Sequence, residues 1–250
     1  IGDAISKGNT PYNKIGYGYS DYLKDYLTHQ KKLEGYNKDF TDKDYRIIDL
    51  INHLNENTEI KINNKKITIN QLISQADIIT ISIGMNELYS KIMLNNDNVY
   101  SYINEMTEDL KVLFSKINKL NHRKVLVLNY YDITNENQDI FAYANIKLKK
   151  VTELNGFEYI DIFNELKLED YYYTDQHFRQ NEVIDVADRI LEKLNHRVID
   201  DVLSSKNSGI EFNGVYALQS ALPYKSDVIE YLESDMISNF KAYDHKGDEI

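Results

Sequence analysis

The chain lacks the residues and patterns on which several classes of protein depend. Its 250 residues include no Cys, which excludes disulfide scaffolds, Cys-zinc sites and thiol catalysis. No uninterrupted apolar run approaches the roughly 18 residues that a membrane span needs. The formal net charge is -11, and no basic face typical of a nucleic-acid binder is visible. We therefore expect neither a transmembrane segment nor a nucleic-acid partner.

Metal and phosphate chemistry also lack their usual signatures. No cluster of His, Asp and Glu has the spacing of metal ligands, and no Gly-rich loop is suited to cradle a phosphate. We therefore expect no metal site and no cofactor.

What the sequence does contain is an alternation of two kinds of segment. Short apolar runs rich in β-branched residues predict buried strands at 77–84, 124–130 and 157–163. Apolar residues spaced by three and four predict helices at 45–54, 103–117 and 183–194. Strands that alternate with helices predict a three-layer α/β/α sandwich with a mainly parallel sheet of about five strands.

Two segments depart from this alternation. Residues 59–69 alternate apolar and polar around Asn63 and Asn64, which predicts a small β-hairpin. We expect the α/β domain to span residues 1–200 and a C-terminal extension to span 201–250. In the extension we predict a connector at 204–209, a strand within 210–218 and a helix that begins near Asp227. The apolar face of that helix would pack on the domain or on a partner; it comprises Ile229, Leu232, Met236 and Phe240.

Four short stretches carry the chemical signal jointly. They are residues 1–6 (IGDAIS), 16–23 (GYGYSDYL), 84–88 (GMNEL) at the end of a predicted strand, and 174–177 (TDQH) before a predicted helix. Their order and their positions at strand ends resemble the four blocks of the SGNH, or GDSL-type, hydrolase family. The resemblance covers about residues 1–195.

The resemblance implies a serine esterase or acyl hydrolase. The nucleophile position is residue 4, and His177 would act as the general base while Asp175 fixes its tautomer. The oxyanion of the tetrahedral intermediate would be bound by the backbone N–H groups of Ala4 and Gly18 and by the Asn86 amide.

The sequence departs from the family pattern in three places. Position 4 is Ala, and a methyl group cannot attack a carbonyl carbon. Ser6 is no replacement, because two residues further along a helix its side chain points about 200° away. One residue separates Asp175 from His177, whereas the family usually has two. A branch that resembles alginate-type polysaccharide acetyltransferases also has one. The family's first strand should precede Gly2, so we expect further residues upstream of Ile1.

Three functions remain open. The first is an esterase for small acyl esters, with O-acetylated carbohydrate as one candidate substrate, whose nucleophile has been replaced by Ala. The second is a natural pseudoenzyme that binds an acylated ligand or a glycan without cleaving it. The third is an O-acyltransferase. The absence of Cys, together with a leader expected upstream of Ile1, favours an extracellular or cell-surface location over a cytoplasmic one.

Overall fold

The computed structural model describes residues 1–9, 15–62, 64–94, 98–132, 136–162, 180–194, 204–212 and 227–233. Two compact units divide the chain, Ile1–His196 and Arg197–Ile250. Eight helices and seven strands are assigned within the described residues. The helices are α1 (Ala4–Lys7), α2 (Tyr19–His29), α3 (Ile47–Glu56), α4 (Ile69–Gln75), α5 (Met85–Met93), α6 (Val99–Leu120), α7 (Gln138–Leu154) and α8 (Gln180–Lys193). The strands are β1 (Glu59–Ile62), β2 (Lys65–Thr68), β3 (Ile78–Ile81), β4 (Lys124–Leu128), β5 (Glu158–Ile160), β6 (Ser204–Phe212) and β7 (Asp227–Glu233).

A parallel sheet forms the centre of the first unit. Its strands lie in the order β3-β4-β5, and Ile78 pairs with Lys124 while Leu126 pairs with Glu158. Gly2 adds two parallel bridges, one to Ser82 and one to Thr41. The chain at Gly2 therefore lies between Thr41 and the end of β3.

Helices cover both faces of this sheet and give the predicted three-layer α/β/α sandwich. The long helix α6 packs against α3, α4 and α7, whereas α2 packs against α8 and α1. The apolar residues that predicted α6 are buried: Ile103, Met106, Leu110, Leu113 and Ile117. Residues Val125–Leu128 of β4 are at most 2% exposed, as expected of a strand covered on both sides.

The sequence-based predictions for this unit are confirmed at the level of elements. All three predicted strands and all three predicted helices are present, and the structure adds α1, α2, α4, α5 and α7. The predicted hairpin is formed by β1 and β2, which pair antiparallel from Glu59–Thr68 to Ile62–Lys65. Asn64 in its turn has a φ of 65°, the left-handed conformation that Asn tolerates.

The prediction for the extension is wrong in two places. Asp227 begins strand β7 rather than a helix, and the predicted connector at 204–209 is part of strand β6, with which β7 pairs antiparallel. Residues 227–233 include Val228, Ile229 and Tyr231, and β-branched and aromatic residues favour strands once a partner strand is available. A strand alternates with period two, so the helical spacing of Ile229 and Leu232 no longer defines one face. Met236, Phe240 and residues 213–218 lie outside the described residues, and packing of the extension stays a prediction.

Among the described residues, no helix is long and apolar enough to cross a membrane.

Candidate active site

The candidate site lies at the carboxyl edge of the parallel sheet. Parallel strands end at the same edge, so the loops that follow them are neighbours. Gly2 bridges Thr41 on one side and Ser82 on the other. The structure thereby brings together the loop that leads into Ala4, the turn after Thr41 and the segment from Ser82 to Asn86.

Ala4 is the first residue of α1, directly after the buried residue Asp3. The N–H of Asp3 donates to the carbonyl of Ser82 at 2.8 Å, and the Ser82 hydroxyl donates to the Asp3 carboxylate at 2.9 Å. These two hydrogen bonds fix the backbone at position 4 relative to the end of β3. Ala4 itself is half-buried, and its methyl group has no nucleophilic atom.

Burial raises the pKa of Asp3 to about 6, against the hydrogen bond from Ser82, which lowers it. The raised pKa means that burial destabilises the charged form of Asp3, the residue directly before Ala4. It belongs to a network that continues through Ser82 Oγ to Ser6 Oγ at 2.6 Å and from Ser6 to Tyr19 Oη at 2.9 Å.

Ser6 is a buried member of this network, with 1% of its surface exposed. Both of its hydroxyl contacts are to core side chains, Ser82 and Tyr19. The expectation that Ser6 does not replace the nucleophile is confirmed, because its hydroxyl is directed into the core.

Asn86 lies in the first turn of α5, which begins where the chain leaves β3. Its side-chain amide donates to the backbone carbonyl of Lys43. Gly84 lies two residues earlier with a φ of 100°, and a Cβ at this position would lie 2.7 Å from Tyr130 Oη. The local backbone therefore favours glycine at position 84, directly before the helix that carries Asn86.

Gly18 is not brought to this edge as a donor. Its N–H donates to the Asp21 carboxylate at 2.9 Å and caps α2. A Cβ at Gly18 would lie 2.8 Å from the Ile5 carbonyl oxygen and 2.7 Å from that of Ser6. The glycine is thus explained by its close approach to the carbonyl end of α1, and its N–H is already engaged.

The turn after Thr41 is the feature that sequence reasoning missed. Asp42 N–H donates to the Gly2 carbonyl at 3.0 Å, and Tyr45 N–H donates to the Asp42 carbonyl at 3.1 Å. Lys7 of α1 forms an ion pair with Asp42 at 2.6 Å, which lowers the pKa of that carboxyl. Within the described residues, no acceptor takes the Lys43 N–H. No sequence motif marks this turn, because Asp42, Lys43 and Asp44 form only a short charged stretch.

Glu87 follows Asn86 and joins the same turn from its other end. Its Oε2 accepts the N–H of Ile47, the first residue of α3, at 3.0 Å. Burial raises the pKa of Glu87 to about 7. Sequence reasoning assigned this residue no role.

A small cavity of about 10 Å³ lies beside position 4. Its walls include Asp3, Ile5, Ser82, Met85, Tyr130 and Ile162. A cavity of this size has room for about one water molecule.

Asp175 and His177 lie outside the described residues, so their placement as a catalytic pair stays a prediction. Among the described residues, no group of three or more His, Asp and Glu side chains could hold a metal ion.

No protein-family model matches the chain, and no curated protein matches it. Solved hydrolase structures nevertheless share its fold. LAE5, described as an alpha/beta hydrolase enzyme from the metagenome of Lake Arreo, Spain, superposes with a TM-score of 0.58 at 16% identity over 78% of this chain and 93% of its own. The acetylxylan esterase Axe2 from Geobacillus stearothermophilus superposes with a TM-score of 0.60 at 17% identity over 80% and 94% of the two chains. A catalytic mutant of Axe2 with alanine in place of a serine gives the same TM-score at 18% identity. The chain therefore has a hydrolase fold of the α/β type.

Proposed function

We propose that the chain is an SGNH-type serine esterase scaffold for short acyl esters, held in an inactive form by Ala4. The observation that carries the proposal is the pair of Gly2 bridges to Thr41 and Ser82, which bring the segments that carry Ala4 and Asn86 to one edge of the sheet. This edge is where open α/β sheets bind ligands. The shared fold of an acetylxylan esterase supports the reaction class.

In this proposal the reaction begins with a serine hydroxyl at position 4, and residue 4 of the present chain cannot supply it. His177 takes the hydroxyl proton as the oxygen attacks the ester carbonyl, and Asp175 holds the histidine in the required tautomer. His177 then returns the proton to the departing alcohol. In the second half-reaction water, or a sugar hydroxyl in a transferase, attacks the acyl-enzyme.

The described contacts guide the choice of proposed oxyanion donors. The Ala4 N–H and the Asn86 amide keep the roles that the sequence assigned to them. The Lys43 N–H takes the role assigned to Gly18, because Gly18 donates to Asp21 whereas Lys43 lies in the turn against Asn86. The loss of one such donor typically costs about 100- to 1000-fold in rate.

The substrate proposal is an acetyl or similarly short acyl ester, with O-acetylated carbohydrate as the favoured alcohol part. The narrowness of the cavity beside position 4, about 10 Å³, favours a short acyl group over a long one. The activity of Axe2 as an acetylxylan esterase supports the carbohydrate. An extracellular or cell-surface location fits such a substrate and is proposed with it.

Restoration of the nucleophile tests this function. Ala4→Ser should hydrolyse p-nitrophenyl acetate well above the parent chain, because the loss of a triad nucleophile alone can forfeit most of about 10⁶-fold in rate. Adding His177→Ala should abolish the gain, since a neutral serine without its base is a weak nucleophile. Lys43→Pro tests the proposed oxyanion donor, because it removes the Lys43 N–H. Gly18→Ala is not used, because its Cβ would clash with neighbouring carbonyl oxygens.

A second function, binding without cleavage, is favoured by one observation, namely Ala at position 4. If the Ala4→Ser protein is folded yet inert towards short, medium and long acyl esters, the esterase proposal fails. The pseudoenzyme that binds an acylated ligand or glycan then takes its place. The codon for residue 4 in the gene separates a natural Ala from a replaced Ser.

A further inference from the structure

The turn at Asp42–Arg46 is fixed to three separate elements. At its start the Asp42 N–H is bonded to the Gly2 carbonyl and the Asp42 carboxylate to Lys7. In its middle the Lys43 carbonyl accepts the Asn86 amide. At its end the Ile47 N–H is bonded to Glu87. Asn86 and Glu87 are consecutive, so the first turn of α5 holds this segment at two points.

The Glu87 contact differs chemically from the others. Ile47 is fully buried and is the first residue of the ten-residue helix α3, whose N-terminal N–H groups have no partner within the helix. A carboxylate there makes a charge-assisted hydrogen bond and also faces the positive end of the helix dipole. A neutral acid at the same place can still accept the N–H, but it loses both charge effects.

We propose that Glu87 is a positioning residue of the candidate active site: its carboxylate holds the start of α3 and thereby sets the Lys43 backbone beside Asn86. The catalytic significance of this geometry rests on the proposed function. The contact between Glu87 and Ile47 does not depend on that function. Glu87 acts through the turn and touches no reacting atom.

The charge state of Glu87 is set by several neighbouring groups. Arg46 beside it favours the carboxylate, whereas Asp49 of α3 and Asp109 of α6 disfavour it. Tyr102 of α6 and Tyr130 after β4 also lie close enough to interact with it. With burial added, the pKa of Glu87 rises to about 7, so the contact changes its charge state near neutral pH.

The first arm of the test uses the unmodified chain and needs no enzymatic activity. The amide N–H resonance of Ile47, followed by two-dimensional NMR between pH 5 and pH 9, should shift with a midpoint near 7. Glu87→Gln should abolish the shift while keeping an oxygen acceptor of the same size. Asp109→Asn is the matched control, because it removes a nearby negative charge but not the contact, and it should lower the midpoint. An Ile47 amide resonance that Glu87→Gln leaves unchanged at every pH, or that titrates equally in Glu87→Gln, overturns the inference.

The second arm measures kcat and KM for p-nitrophenyl acetate at pH 8 in the Ala4→Ser background. Glu87→Ala should lower kcat by about 100-fold, which is the typical effect of displacing an active-site group by 1 Å, with KM nearly unchanged because oxyanion contacts act in the transition state. Glu87→Gln should lose less, and Asp109→Asn should keep the kcat of the background. A loss confined to KM, or no loss in Glu87→Ala, overturns the positioning role.

The two failures are distinguishable. If Ala4→Ser is inert, the proposed function fails, and the Ile47 titration still decides whether Glu87 holds the turn. If Glu87→Ala does not fold, the Gln variant and the titration of the unmodified chain decide the inference.

Discussion

Gly84 is one of the residues whose backbone conformation shapes the site edge. Its φ of 100° is one that side chains rarely adopt, and a Cβ there would meet Tyr130 Oη at 2.7 Å and Met106 Cε at 3.2 Å. Tyr130 is buried, and its hydroxyl has no hydrogen-bond partner among the described residues. Strain at position 84 and the position of the Tyr130 ring are therefore coupled.

Gly84→Ala should lower the free energy of unfolding by about 1–3 kcal/mol, the usual cost of a strained backbone conformation. Urea denaturation measures this change. Gly35→Ala is the control, because a Cβ there meets no described atom within 4 Å and the φ of Gly35 is not positive. Adding Tyr130→Phe removes the closest contact, so the double variant should be more stable than the sum of the single effects predicts. Equal effects of the two glycine substitutions would contradict this account.

Asp3 predicts a pH dependence of stability. Its pKa is raised from 3.8 to about 6 in the fold, so between these values the folded state binds more protons than the unfolded state. The contribution of Asp3 is therefore fully present below about pH 4 and is lost as the pH rises through 6. A shift of this size corresponds to about 3 kcal/mol.

Asp3→Asn should remove this dependence. Urea denaturation from pH 4 to pH 8 measures the free energy of unfolding of parent and variant. Their difference contains the pH dependence due to Asp3 but not that due to Glu87, whose pKa is raised to about 7. The parent should lose stability relative to Asp3→Asn between pH 4 and pH 6. A difference that is constant with pH would show that Asp3 is not the group that titrates.

At the scale of elements, the sequence predicted the helices and strands whose apolar residues follow a regular pattern. Helix α6 has apolar residues at regular helical spacing, and the buried face is the predicted one. Strands β3, β4 and β5 were visible because strands covered on both faces are continuously apolar. Helix α2 was missed as an element because its polar residues and tyrosines give a weaker apolar face, and its Gly18 was read as a catalytic turn rather than as a helix cap.

The failures at this scale have a common physical cause, which is that non-local pairing overrides local preference. Asp227 and Glu230 have the spacing of a helix cap, yet residues 227–233 pair with residues 204–212, from Phe212 with Asp227 to Ser204 with Glu233. The turn at Asp42–Arg46 has no local signature either, since its place beside Asn86 follows from the Gly2 bridges. Ala4 and Asn86 could be proposed from the sequence because each lies in a short motif, whereas Lys43 and Glu87 could be proposed only from contacts.

For the molecule as a whole, the α/β hydrolase fold positions one edge of a sheet for chemistry and leaves that chemistry to a few side chains. Fold likeness at 16–18% identity fixes the architecture of the chain. The reaction depends on whether position 4, once it bears a hydroxyl, behaves as an activated nucleophile. Covalent labelling tests this without any assumption about the substrate.

The most direct measurement is intact-protein mass spectrometry after treatment with a small fluorophosphonate, which reacts with activated serines. The Ala4→Ser protein should gain one adduct, and peptide mapping should locate it at position 4. The parent chain and the Ala4→Ser/His177→Ala protein should stay unlabelled over the same time. A folded Ala4→Ser protein that gains no adduct, or that gains it at another serine, would contradict the assignment of position 4 as the nucleophile site.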